Sequence, residues 1–233
     1  MIRNFLFSIF FFAGIALISV IFLPALILPR KVTLVGGRLM GFWASICLKL
    51  FLSVKILIKG RENIINNEKF FIASSHQSMF ETFYLQTIFN SPVFILKKEL
   101  LFIPIFGWYL KKIGSISIKR NKVTKDNLSF FEDISDIINN SNRPLIIFPQ
   151  GTRMLHYDRL PFKKGASRIY EKLNIPCQPV AINSGHVWPK KGFKNVNKII
   201  TVSILKSIPA GLEKEEFLKI LEKNIYSELD LLG

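Results

Sequence analysis

The stretch Lys69-Phe-Phe-Ile-Ala-Ser74-Ser75-His76-Gln77-Ser78-Met79-Phe80-Glu81 decides the fold class. Its first six residues form a short apolar run ending in small side chains, the pattern of a buried strand. A polar turn follows, and residues 79–89 then read as a helix. A strand running through a turn into a helix is the building unit of a layered α/β protein. Ligands of such proteins sit in the turns at the carboxyl ends of strands.

The same alternation extends in both directions. Upstream, residues 54–59 alternate in the manner of a strand. Downstream, strands are expected at 92–96, 115–119, 144–148, 178–182 and 198–205. Helices are expected at 103–112, 124–139, 163–173 and 212–232, with Thr124 as an N-cap. The pattern predicts an α/β fold: a largely parallel, mixed sheet covered by helices on both faces. The 233 residues fit one such domain, with length left for an attachment segment.

That attachment lies at the N-terminus. Residues 5–28 form 24 positions without a charge, between Arg3 and the pair Arg30-Lys31. This length suffices to cross a hydrocarbon core, which takes roughly 20 apolar residues. Pro24 and Pro29 interrupt its far end, and basic residues on both flanks give no orientation signal, so crossing the bilayer and lying in one leaflet both remain open. Residues 33–54 are apolar but carry Arg38, Lys49 and Trp43, as an interfacial helix does. The expected division is therefore 1–53 as membrane-binding helices and 54–233 as the α/β domain.

Thirty-two Lys and Arg stand against 16 Asp and Glu, a net charge of +16, and mean hydropathy is +0.31. Such an excess calls for an anionic partner: nucleic acid, an anionic bilayer or a phosphorylated substrate. No acidic residue precedes Glu62, whereas Arg3, Arg30, Lys31, Arg38, Lys49, Lys55 and Lys59 do, which favours the anionic cytoplasmic leaflet. The basic residues are interspersed with apolar strands, and no nucleic-acid-binding signature appears, so nucleic acid is not expected. A transporter is disfavoured because residues beyond 60 hold no further apolar segment of membrane length. Cys47 and Cys177 are far apart and in no ligand spacing, so neither a disulfide framework nor a metal site is expected.

Three turns after expected strands hold the candidate chemistry. In the first, His76 and Glu81 are five positions apart, about 140° around a regular helix. They meet only if His76 lies in the turn, ahead of the helix. The carboxylate then fixes the imidazole tautomer, and the other ring nitrogen is free to take a proton from a hydroxyl. Taken alone, this spacing also fits a solvated loop histidine. Ser74, Ser75 and Ser78 lack a nucleophile elbow and suit helix capping. The second turn offers Arg120 beside Lys119 and Lys122. The third, Phe148-Pro149-Gln150-Gly151-Thr152-Arg153, builds a tight turn with free backbone N–H groups and a guanidinium fork for phosphate. His156 and His186 are assigned structural or surface roles.

As a set these residues resemble the glycerolipid acyltransferases, and in particular the bacterial 1-acyl-glycerol-3-phosphate acyltransferases. The family's His-x4-Asp block looks like His76-Gln-Ser-Met-Phe-Glu81, with Glu in place of Asp. Its second block looks like Gly114-Ser-Ile-Ser-Ile-Lys-Arg120. Its Phe-Pro-Glu-Gly-Thr-Arg block looks like Phe148-Pro-Gln-Gly-Thr-Arg153, with Gln150 in place of Glu. Its Pro-rich strand looks like Ile175-Pro176-Cys-Gln-Pro179-Val180-Ala181. Connecting stretches also match, among them Lys98-Glu-Leu100, Ile103-Pro104 and Gly107.

The resemblance implies that His76, assisted by Glu81, deprotonates the glycerol 2-hydroxyl of 1-acyl-sn-glycerol-3-phosphate (lysophosphatidic acid). The oxygen then attacks a thioester without an acyl-enzyme. Arg120 and Arg153, with Gln150, Gly151 and Thr152, would hold the acceptor phosphate. Backbone N–H groups at the start of the helix after His76 would stabilise the oxyanion. No bound cofactor or metal is implied; acyl-acyl-carrier-protein or acyl-CoA is the co-substrate. The implied location is the cytoplasmic membrane, with the catalytic domain on its cytoplasmic side. Another lyso-lipid acceptor, such as lyso-ornithine lipid, is the nearest alternative, and a basic membrane-tethered binding protein the non-enzymatic one.

Overall fold

The computed structural model describes residues 1–118, 130, 134–138 and 140–232. Its strands are β1 (Lys55–Lys59), β2 (Phe71–Ser74), β3 (Val93–Lys97), β4 (Ile116–Ile118), β5 (Leu145–Ile147), β6 (Cys177–Ile182) and β7 (Ile199–Ile204). They form one sheet in the order β1-β7-β6-β2-β5-β3-β4. Every pairing is parallel except β6 with β7, so the largely parallel, mixed sheet expected from the sequence is the one observed.

Strand alternation divides the core in two. Phe71, Ala73, Leu145 and Ile147 point to one face, under α5 (Gly165–Leu173) and α6 (Lys214–Leu232). Ile72 and Ile146 point to the other, under α1 (Ile2–Ile21), α2 (Arg30–Leu52) and α3 (Phe80–Ile88). A strand buried on both faces has no polar side to spare, which is why β2 and β5 read as continuous apolar runs. The expected helix at 124–139 lies largely outside the described residues; Phe130 and residues 134–138 are helical, with Ile134 and Ile138 in the first core.

Helices α1 and α2 form an antiparallel hairpin: Arg3 at the start of α1 donates to Phe51 O and Ser53 Oγ at the end of α2. Both are long and apolar enough to cross a membrane by length and composition. Their inner sides pack on the sheet, with Phe7, Phe11, Leu48 and Leu52 fully buried in the second core. Gly14 permits the close crossing, since a Cβ there would lie 2.0 Å from Trp43 Nε1. Their outer sides expose Phe5, Phe12, Leu17, Ile21, Leu39, Phe42 and Leu50, a surface suited to lipid.

The helix expected from residue 103 starts later, as α4 (Phe106–Lys112). Pro104 cannot donate, and Ile105 takes φ +62° in a three-residue turn that Phe106 N–H closes onto Pro104 O at 2.6 Å. Gly107 makes room, because a Cβ at that position would meet Leu101 O at 2.2 Å.

Candidate active site

Strands β6, β2, β5 and β3 run parallel, so the turns that follow them gather at one edge of the sheet. Ser75 fastens the first turn to its neighbour. Its N–H donates to Val180 O at 3.0 Å, and its hydroxyl accepts Ile182 N–H at 2.7 Å. His76 therefore sits at the sheet edge, ahead of α3. Ser78 and Glu81 form a capping box: Ser78 Oγ accepts Phe80 N–H at 2.9 Å, and the Glu81 carboxylate accepts Ser78 N–H at 3.1 Å from both oxygens. Ser78 thus caps as expected, whereas Ser75 locks strands.

Glu81 is fully buried. Besides Ser78 it accepts Gln77 N–H at 3.1 Å and the hydroxyls of Ser78, at 3.2 Å, and Ser184, in a short bond. The carboxylate is thus ringed by donors. His76 Nδ1 lies 3.7 Å from Glu81 Oε2, is buried, and has no hydrogen-bond partner among the described residues. At that distance the contact is electrostatic; catalytic hydrogen bonds often tighten only once substrate is bound. The ring stacks on Phe148 at 4.1 Å with 15% of its side chain exposed. With Nδ1 turned inward to the carboxylate, the open edge of the ring is Nε2.

The third turn packs directly on the first. Met154 N–H donates to His76 O at 2.9 Å, and Gly151, at φ +71°, closes a turn in which its N–H donates to Phe148 O at 2.8 Å. His76, Thr152 and Arg153 then line one cavity of about 500 Å³ together with Lys97 and Lys190. The rest of its wall is mostly apolar, from Phe22, Met40, Phe83, Phe106, Leu110 and Ile113. Arg153 makes no hydrogen bond or ion pair among the described residues, so its guanidinium is available to an anion. A more open groove of about 960 Å³ lies between α5 and α6, contains none of these residues, and mixes Lys164, Arg168 and Lys214 with Glu171 and Glu222.

Not every expected residue meets there. Gln150 is buried and absent from the cavity wall, and its side-chain oxygen finds no hydrogen-bond partner among the described residues; Tyr226 of α6 donates its hydroxyl to Leu160 O. Burial pushes that hydroxyl up to about 12, so it stays a donor. Gly151 shapes the turn without lining the cavity. Arg120 lies outside the described residues. Of the backbone N–H groups at the start of α3, those of Gln77, Ser78 and Phe80 are taken up by Glu81 and Ser78, while Met79 lines the cavity. Positive charge at the cavity wall comes from Lys97, Arg153 and Lys190.

Ser184 and Gly185 were missed. They follow β6 and hold Glu81 and, through Gly185 N–H to Gln77 Oε1 at 2.8 Å, the turn after His76. Only the order of strands in the sheet brings them near, since Ser184 is 103 residues from Glu81. His156 and His186 stay off the cavity wall; burial holds the His186 imidazole below its ordinary value.

A histidine backed by a buried carboxylate, at the carboxyl edge of a mixed α/β sheet and on the wall of an apolar cavity, is chemically able to take a proton from a hydroxyl placed there. The chain belongs to the Acyltransferase family, whose model matches residues 55–183. It is similar to the 1-acyl-sn-glycerol-3-phosphate acyltransferase of Pseudomonas aeruginosa, 33% identical over 65% of this chain and 58% of that one. The protein of the same name from Helicobacter pylori is 32% identical, covering 67% of each chain. That from Saccharomyces cerevisiae is 31% identical over 82% of this chain and 66% of its own. The chain thus spans about two thirds or less of these curated relatives. The crystal structure of the 1-acyl-sn-glycerophosphate (LPA) acyltransferase PlsC from Thermotoga maritima shares the fold, with a TM-score of 0.80 over 100% of this chain and 98% of that one, at 23% identity.

Proposed function

We propose that the chain moves a fatty acyl group from a thioester to the 2-hydroxyl of 1-acyl-sn-glycerol-3-phosphate, making phosphatidic acid at the cytoplasmic face of the inner membrane. The observation that carries this reading is the dyad's place: His76 lines a cavity that is apolar over most of its wall and also carries Lys97, Arg153 and Lys190. Apolar wall suits acyl chain; the cations suit phosphate. The names of the relatives support the same substrate.

His76 Nε2 takes the hydroxyl proton while Glu81 steadies the imidazolium through Nδ1. The acceptor oxygen bonds to the thioester carbonyl carbon, and the tetrahedral oxyanion forms beside the cationic side chains. Its collapse breaks the carbon–sulfur bond, and the leaving thiolate recovers the proton from His76. The products are the ester and the free thiol of acyl carrier protein or coenzyme A.

The test uses vesicles carrying lysophosphatidic acid and a labelled acyl thioester. His76→Ala is expected to lose at least ~10² in rate with its melting temperature kept. A folded His76→Ala protein with native activity refutes the mechanism. Arg153→Ala is expected to raise the KM for the acceptor more than for the donor; equal effects remove Arg153 from the phosphate site. Transfer to lyso-ornithine lipid but not to lysophosphatidic acid reassigns the acceptor.

A further inference from the structure

Residues 97–112 read Lys-Lys-Glu-Leu-Leu-Phe-Ile-Pro-Ile-Phe-Gly-Trp-Tyr-Leu-Lys-Lys. Positions 100–110 hold no charge, and Lys97, Lys98, Lys111 and Lys112 bracket them with Glu99 as the one acid. The fold divides the apolar side chains between two sides. Phe106, Tyr109 and Leu110 line the cavity. Phe102, Ile103 and Trp108 turn outward and are 74%, 44% and 52% exposed. A cluster of this kind on one short segment marks a contact surface rather than scattered surface apolarity.

The segment also has a fixed place. Tyr109 donates its hydroxyl to Ser19 O of α1 at 2.6 Å, and α4 packs on α2 and on the short 3-10 turn Leu23–Leu26. Helix α4 therefore adjoins the tip of the α1–α2 hairpin, where Leu17, Val20, Ile21 and Ile27 are exposed. The γ-turn at Ile105 and the Arg143 N–H donated to Ile113 O at 2.6 Å hold it against the sheet.

We propose that residues 100–110 form a membrane-contact element additional to the hairpin. Phe102, Ile103 and Trp108 enter the interface of an anionic bilayer, and Lys98, Lys111 and Lys112 meet its phosphates. An apolar centre between cationic ends complements headgroups lying over acyl chains; a second copy of this chain would set lysines against lysines. The inference rests on reading the chain as a membrane enzyme and deepens it. One wall of the acyl cavity becomes part of the bound surface, so the lipid acceptor reaches His76 without leaving the leaflet.

Cys47 and Cys177 are buried, so Phe102→Cys gives the full chain one selectively labelled thiol for an environment-sensitive fluorophore. Lys172→Cys on α5, across the sheet, serves as the control. Vesicles of phosphatidylglycerol and phosphatidylcholine are added, and floated protein is measured. The label at 102 is expected to shift to the blue and lose about threefold or more of its quenching by iodide, while the label at 172 does not change. Floated protein whose label at 102 remains as quenchable as in buffer overturns the proposal and leaves membrane binding through the hairpin intact. Protein that does not float overturns both. Shielding at 102 that precedes vesicles and grows with protein concentration assigns the surface to a second copy instead.

Discussion

Around the Glu81 carboxylate every neighbour is a donor: the N–H groups of Gln77 and Ser78 and the hydroxyls of Ser78 and Ser184, with His76 Nδ1 beyond. An amide in its place satisfies one side and turns its own N–H groups against donors on the other. Glu81→Gln is therefore expected to lose roughly 1–3 kcal/mol of stability along with most activity. Glu81→Asp keeps the charge on a shorter arm and should fall between the two. Melting curves and kcat for the pair check this order, and a fully active Gln variant contradicts it. Ser184 reaches the same carboxylate from after β6, so Ser184→Ala should lower kcat about tenfold with little change in KM, the scale of one hydrogen bond to a charged group. Ser184→Thr should restore it; failure of that rescue assigns Ser184 to packing alone. The sequence already required His76 to lie in the turn ahead of the helix if it was to meet Glu81, and the structure places it there, 3.7 Å from the carboxylate. Ser184 was not legible, since no local pattern records that β6 lies beside β2. For the third turn the tight bend was legible, but not which of its side chains line the cavity: Thr152 and Arg153 do, while Gln150 is buried away from it.

At the scale of elements, the strands came through best, because side chains buried on both faces leave long apolar runs with polar turns between them. Helix α4 came through worst. Its residues suit a helix from 103 onward, but Pro104 and the positive φ of Ile105 delay the first regular turn to Phe106. Arg143 compensates at the other end. Its guanidinium donates to Ser91 O and Ile113 O at 2.6 Å and to Pro92 O at 3.2 Å, tying the start of β3 to the end of α4. Burial and nearby Arg30 lower this group to about 10, which leaves it charged at neutral pH. Arg143→Met keeps the length of the side chain and removes all three donations. The expected cost is about 3 kcal/mol, or roughly 10 °C in melting temperature. Because α4 walls the cavity, the KM for the acyl donor should rise more than that for the acceptor. An unshifted melting temperature would mean that water serves those carbonyls as well.

Across the whole molecule, the sequence separates an apolar N-terminus from an α/β domain more sharply than the packing does. The hairpin supplies Phe7, Phe11, Leu48 and Leu52 to the core formed with Ile72, Ile146, Val180 and Val202. Burying four side chains of this size contributes on the order of 10 kcal/mol, about the entire stability of a typical domain. Phe7 and Phe11 both meet Trp188, at 5.0 Å, so the hairpin also braces the segment just after Ser184. A chain lacking residues 1–53 should therefore fail to yield a soluble, folded α/β domain, even in detergent that replaces the membrane. Such a fragment is expected to bind apolar dyes and to unfold without a cooperative transition. Phe7→Ala in the full chain provides the graded version, with an expected loss of about 3–5 kcal/mol. If the fragment instead melts cooperatively as a monomer, the hairpin is a tether and the sheet closes its own face without it.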